Sequence, residues 1–247
     1  MFAEVPGAAV LNPVARVDEV SSLQRKNNKQ TQLVAQELPI TIRIVRTPEQ
    51  LQRVCELRST AYGHRNPALG QTLSQPESAD FDPGTVVLIA ESKSSGEVVG
   101  TLRIHTNLFQ PVPMEGVIDL PPHLQGQLVA EACRFSVRGS FNSPFVRLAL
   151  FKAIYLYCYA NQVQFLLCGA RKPLNEIYKS LGFVPLNGAA QEWWVPVSYA
   201  SNLPHSMLML DVLRVDSHWF ETGHPCYQFV RRTYNPDIQM FSAASST

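Results

Sequence analysis

The stretch LVAEACRFSVRGS, from Leu128 to Ser140, begins as an apolar strand and then carries Glu131, Arg134 and Arg138. A carboxylate and two guanidinium groups in a segment built for burial have two physical explanations. Either they line a cleft where a reaction needs charge, or they neutralise one another inside the fold. In the first case Glu131 is a general base or an acceptor-binding group; in the second it is the partner of a nearby arginine. Arg134 lies three residues on, so strand alternation puts it on the opposite face from Glu131 unless a bulge intervenes. Cys133 is a nucleophile by type, but no motif supplies it with a base. Ser143 and Pro144 then open a helix that is apolar on nearly every face. Its first N–H groups form an anion site at the end of the strand, flanked by Arg138 and Arg147. Arg103, in GTLRIHT, is another interior guanidinium that needs a carboxylate from the protein or a ligand. His218, His224 and Cys226 stand close together in HWFETGHPC, but their spacing matches no zinc pattern, and no metal site is expected.

These residues need elements to hold them. Residues 1–37 are polar and aperiodic and are expected to form an N-terminal tail, with a single domain over 38–240 and a short C-terminal tail over 241–247. LPITIRIV reads as the first strand. TPEQLQRVCELRSTAYG reads as a helix, with Thr47 as N-cap, Pro48 in the first helical position and Gln50 completing a capping box. HRNPALGQTLSQPESADFDPG is a long polar loop. TVVLIAES and EVVGTLRIHT form a hairpin through KSSG. VQFLLCGA is a continuous apolar strand of the kind that pairs in parallel. KPLNEIYKSLGFVPL is a short helix closed by Gly182, and EWWVPVS and SMLMLDVL are further strands. DSHWFETGHPCYQFVRRTY reads as a helical or irregular appendage, and Lys152 as a residue that snorkels from a buried helix. The order β-α-loop-β-β-loop-β-α-β-α-β-β implies a mixed α/β sheet with one parallel pair among antiparallel neighbours, flanked by helices.

The totals are consistent with one large domain. The chain has 247 residues, of which 45% are hydrophobic and 17% charged, enough to bury a core. A formal net charge of +1 argues against nucleic acid as a partner. The five cysteines are irregularly spaced without a C-x-x-C, which fits free thiols in a reducing compartment. There is no apolar run of membrane-spanning length, so a cytoplasmic protein is expected.

Two segments carry a resemblance. LNEIYKSLGFVPL is similar to the late helix of the GNAT acyltransferase superfamily, where an Asn, a Tyr and a closing Gly-Phe recur. EACRFSV resembles the Glu-x-x-Arg-Phe segment of acyl-homoserine lactone synthases and their relatives, the N-acyl amino acid synthases. LRSTAY, DFD and GTLRI resemble further marks of that branch, at Arg58, Asp80, Asp82 and Arg103. The loop RGSFNSP has Gly139 alone where ordinary GNAT acetyltransferases have several glycines around the coenzyme A pyrophosphate. This suits a donor carried on acyl carrier protein.

The resemblance implies a GNAT-like fold with a splayed parallel strand pair and transfer of a medium or long acyl chain from a thioester to the amine of an amino acid. No bound cofactor is implied; the co-substrate is an acyl-phosphopantetheine on acyl carrier protein, or acyl-CoA. The splayed strand at Phe135, Ser136, Val137 and Arg138 would offer backbone N–H groups to the donor, with Arg103 and Arg134 near the acceptor. Arg134 would pair with Asp80 or Asp82. Glu131 would be the base and Tyr178 either the acid at the leaving thiol or a packing residue. The phosphate and carrier protein would meet Arg138, Gly139, Ser143, Arg147, Arg171 and Lys172. The rival readings are a lactone synthase proper, a coenzyme A-dependent acetyltransferase, and a non-catalytic module that binds acyl carrier protein or lipid.

Overall fold

The computed structural model describes residues 33–139, 143–188, 191–196 and 203–241. Eight strands run in the order β11 (Ile238–Gln239), β2 (Ile40–Ile44), β3 (Thr85–Ser92), β4 (Val98–Thr106), β5 (Val129–Val137), β6 (Phe165–Ala170), β9 (Pro204–Asp211) and β7 (Val184–Pro185), and β8 (Glu192–Trp194) also pairs with β9. From β2 to β5 each strand is antiparallel to its neighbour, whereas β5 and β6, and at the edge β2 and β11, are parallel. Helix α1 (Pro48–Gly63) starts as its sequence dictates, since Thr47 accepts from the Gln50 N–H and the Gln50 side chain accepts from the Thr47 N–H. Helix α3 (Ser143–Ala160) crosses over between β5 and β6.

Alternation sorts the strand residues onto two faces. Leu102, Ile104, Ala130, Ala132 and Leu166 pack under Val146, Leu150, Phe151 and Ile154 of α3. Gly100 lets that helix approach, because a Cβ there would lie 2.8 Å from Val146 and 2.9 Å from Leu150. The other face is covered in two pieces. Val87, Ile89 and Val98 lie under α1, whereas Val129, Leu167 and Met207 lie under Val112, Met114, Ile118 and Leu124 of the long β4–β5 connection.

Four expectations are corrected. The loop after α1 contains helix α2 (Pro67–Thr72) and a 3-10 turn at Ser78–Asp80, with Asn66 capping α2. The C-terminal segment is no appendage: α5 (Val215–Glu221) and α6 (Pro225–Arg231) pack inward, and Trp219 is fully buried against Phe151 and Tyr155. Lys152 does not snorkel. Its ammonium donates to Phe229 O, Thr233 O and Asn235 Oδ1 at 2.6–2.7 Å, because the C-terminal segment folds over it. The ordered domain also starts before Leu38, since β1 (Val34–Ala35) pairs with β10 (Thr233–Tyr234) and Asn235 donates to Gln36 O. Residues 1–32 and 242–247 of the expected tails lie outside the described residues.

Candidate active site

β5 and β6 pair only from Val129↔Phe165 to Ala132↔Cys168. Beyond that rung the two strands part, which opens a gap in the middle of the sheet. A bulge shapes its edge. On β4, Arg103 faces Cys133 and Thr101 faces Ser136, so Leu102 opposes two residues, Arg134 and Phe135. Arg134 takes a left-handed conformation there, with φ 52°, which a non-glycine residue rarely adopts without surrounding support. The bulge overrides alternation. Arg134 joins Arg103 on the face of Glu131, contrary to the unbulged expectation, and Phe135 turns to the α3 face.

On the α3 face the gap is a narrow apolar cleft with a free volume of about 20 Å³. Phe135, Tyr178, Leu166, Ile154 and Ile177 are among its walls, and Arg147 is the cation there. Tyr178, on α4 (Leu174–Ser180), sits with its ring 6.4 Å from Phe135 and 5.1 Å from Phe183. Burial holds its phenol far above the ordinary tyrosine range, so it keeps its proton. That state suits a proton donor and equally suits packing. Asn175, on the same helix, donates to Ser206 Oγ at 3.1 Å while its Oδ1 is buried without a partner.

On the other face, between the two apolar pieces, three guanidinium groups meet two carboxylates. Arg58 Nη1 donates to both Asp80 oxygens at 2.8 and 3.0 Å. Arg103 Nη1 bridges Asp80 at 3.1 Å and Glu77 at 3.0 Å. Arg134 grips Glu77 with two parallel bonds of 2.7 and 2.6 Å. The aspartate expectation is corrected: Arg134 is gripped by Glu77 rather than by Asp80 or Asp82, and Asp80 serves Arg58 and Arg103. The 3-10 turn explains this, since it puts Glu77 and Asp80 on one side and fixes the pair with a Glu77 N–H to Asp80 bond of 2.9 Å. Burial opposes the Glu77 charge, but Arg134, and behind it Arg103 and Arg58, outweigh this and hold Glu77 down at about 2. Among these five side chains three are cationic and two anionic, and Arg58 Nε and Nη2 are buried without partners. Arg103 Nε also donates to half-buried Cys133 at 3.4 Å.

Glu131 is fully buried one rung below, and its Oε2 accepts the Met114 N–H at 2.6 Å. Its cross-strand partner is His105. Arg138, just past β5, leans away toward β4 and donates to Val98 O at 3.2 Å. Arg171 and Lys172 follow β6, half-buried and exposed respectively. Gly139 is the last described residue before Ser143 opens α3. Sequence reasoning missed Glu77, His105 and Tyr62. Three interior arginines demanded more carboxylate than DFD supplies, which was a signal for Glu77. His105 is two residues from Arg103 and therefore shares its face. Tyr62, on the last turn of α1, lies in the field of Arg134, Arg58 and Arg103, and burial raises its phenol.

A mixed sheet split between two parallel strands, with an apolar cleft on one side and fixed charge on the other, defines a GNAT-type N-acyltransferase. The family N-acyl amino acid synthase FeeM matches residues 53–192, more than half of the chain, and the chain belongs to it. Solved structures agree on the fold. FeeM, an N-acyl amino acid synthase from uncultured soil microbes, superposes at TM-score 0.56 with 19% identity, over 72% of this chain and 93% of that one. BjaI, a CoA-dependent acyl-homoserine lactone synthase, reaches 0.53 with 17% identity, over 79% of this chain and 93% of that one. The acyl-homoserine lactone synthase LasI reaches 0.51 with 14% identity, over 70% and 90%. No curated protein sequence matches the chain.

Proposed function

We propose that this N-acyltransferase moves a medium or long acyl chain from a thioester on acyl carrier protein to the amine of an amino acid. The observation that carries this reading is the two-sided gap between β5 and β6. Its apolar cleft suits a hydrocarbon chain. The opposite face holds a buried cluster of three guanidinium groups around two carboxylates, and guanidinium groups suit the carboxylate of an amino acid acceptor.

In this reading the donor's pantetheine arm lies along the unpaired edge of β5 at Phe135, Ser136 and Val137, where backbone amides stand near the thioester oxygen. Glu131 takes the acceptor's ammonium proton. The amine nitrogen then attacks the thioester carbon, the C–N bond forms, the C–S bond breaks, the Tyr178 proton goes to the leaving thiolate, and the nitrogen's second proton returns to the Tyr178 oxygen as the neutral amide forms. The start of α3 at Ser143, with Gly139, Arg138, Arg147, Arg171 and Lys172, takes the phosphate and the acidic carrier. FeeM is itself described as an N-acyl amino acid synthase, which supports the acceptor class.

The test is incubation with acyl carrier protein bearing a medium-chain acyl group, or with the matching acyl-CoA, plus the twenty amino acids, read by mass spectrometry. N-acyl amino acids from the carrier-borne donor are expected. Lactones, exclusive use of acyl-CoA, or carrier binding without turnover would each overturn the reading.

A further inference from the structure

We propose that Thr85, His105 and Glu131 form a proton path from the acceptor site to solvent, with His105 as its middle station. This rests on the acyl-transfer reading above and adds the exit that reading lacks.

The register assembles the three residues. Thr85 on β3 faces His105 on β4, and His105 faces Glu131 on β5. They occupy one rung of three neighbouring antiparallel strands and share one face of the sheet. Cross-strand partners have Cβ atoms roughly 4.5–5.5 Å apart, and because Nε2 has no partner within hydrogen-bond reach, the proton passes from Glu131 to the ring through one water. Thr85 Oγ1 lies 2.8 Å from His105 Nδ1. His105 is 4% exposed, and its Nε2 is buried with no hydrogen-bond partner. A buried polar atom left unpaired is destabilising, so an imidazole at this position calls for a use.

Glu131 supplies the use. It is fully buried under Met114, and a base shut off from water must pass its proton on before it can act again. Thr85 is half-buried at the first residue of β3, so its hydroxyl stands at the rim. The groups facing His105 are Arg103 from its own strand, Glu131 from β5, and Asp80 and Asp82 from the segment before β3. Burial, then Arg103, push the imidazole down to about 4, against the pull of Glu131, Asp82 and Asp80. The resting ring is therefore neutral, with one nitrogen lone pair available. The Glu131 O–H proton moves to Nε2, the Nδ1 proton moves to Thr85 Oγ1, and the hydroxyl releases its own proton to water. Return of the ring from the Nε2–H to the Nδ1–H tautomer before the next turnover closes the cycle, and the sum is one proton from the acceptor ammonium to solvent.

The test uses His105→Gln, His105→Ala and Thr85→Val, with the carrier-borne donor and the best acceptor from the amino acid mixture. His105→Gln should lose roughly ten-fold or more in kcat, with acceptor KM and melting temperature near wild type. Imidazole in solution should restore turnover to His105→Ala. Thr85→Val should lose less and show an increased solvent deuterium isotope effect. Wild-type kcat in both His105→Gln and Thr85→Val, or a His105→Ala defect that appears as raised KM and is not restored by imidazole, would overturn the path. A readout without turnover keeps this separate from the acyl-transfer reading. The ¹⁵N imidazole shifts of His105 should report a neutral ring from about pH 5.5 to 8, and a cationic ring at neutral pH would overturn the station whatever the substrate.

Discussion

The two faces of the sheet at the β5–β6 gap are built by opposite means. The α3 face is a cleft walled by apolar side chains, apart from Arg147 and the phenol of Tyr178. Its shape depends on volume, and neighbouring hydrophobic residues can replace one another at small cost. The other face is a network in which Arg58, Arg103 and Arg134 share Glu77 and Asp80. Each member is held by the others, and removing one leaves its partners charged and buried. Shape on one side and charge on the other are separable, so a mutation on either face should leave a distinct signature.

The largest effect is expected on the charged side. Glu131→Gln keeps an oxygen for the Met114 N–H and removes the carboxylate charge. Loss of a general base costs roughly 10²–10⁴-fold, so kcat should fall on that scale while donor binding persists. Near-normal turnover in a folded variant would remove Glu131 from the mechanism.

Next comes the network itself. Glu77→Gln leaves Arg134 without its two-pronged partner, and breaking a buried pair costs about 3–5 kcal/mol; partial exposure of Glu77, at 19%, puts the expectation near the lower figure. Thermal melting measures it. The pH dependence carries a sign. Glu77 lies at about 2 in the fold against an ordinary 4.5, so the unfolded chain binds its proton first. Its stabilisation is present above about pH 4.5 and disappears as pH falls toward 2. His105, at about 4 against 6.5, weakens the fold from about pH 6.5 down to 4. Glu77→Gln should flatten the first window and leave the second. A melting temperature that falls below pH 4.5 as steeply as in wild type would show that Glu77 does not set the acid limit.

The cleft should respond to size alone. Ile154 is 2% exposed and lines it. Ile154→Phe narrows the space at an overpacking cost of about 1–3 kcal/mol, and acceptor KM should not move. The donor preference should shift to shorter chains, read from kcat/KM across a series of acyl lengths. An unchanged length profile would place the acyl chain elsewhere.

How much of this was legible follows the same division. Period-two alternation, the Thr47 capping box, the apolar run of β6 and the Ser143–Pro144 start of α3 are local signals, and they yield the mixed sheet with its β5–β6 parallel pair; the second parallel pair, β2 with β11, is made by a two-residue strand with no such signal. The apolar cleft follows from that sheet. The charged face does not, because Arg58, Glu77, Asp80, Arg103 and Arg134 come from four elements and meet through the fold. A one-residue bulge decides which way Arg134 points, and no local pattern marks it. Lys152 failed for the same reason: its three acceptors lie beyond residue 228, out of reach of any helical period. Residues α5 and α6 contribute to the core had no strong periodicity, so Trp219 was read as part of an appendage.

The smallest predicted effect tests where the carrier meets the gap. β5 and β6 are parallel, so the residues that follow them lie at the same edge of the sheet. Arg138 follows β5, Arg171 and Lys172 follow β6, and Arg147 is in the first turns of α3, beside the cleft. These cations differ in freedom. Arg138 is tied to Val98 O by its Nε, whereas Lys172 is exposed and available to an acidic partner. An exposed charge acts mainly on encounter and is screened by salt, because the Debye length is about 8 Å at physiological ionic strength. Lys172→Glu should therefore raise KM for the acylated carrier a few-fold at low salt, with the difference closing as salt rises. Small thioester donors, which lack the carrier's charge, should be less affected. Arg147→Glu should have a larger effect, since it also puts an anion beside the acyl cleft, and part of that effect should survive high salt. KM against ionic strength for both donor types separates the two residues. Equal salt slopes for Lys172→Glu and wild type would remove this edge from the docking surface and leave the cleft itself to select the donor.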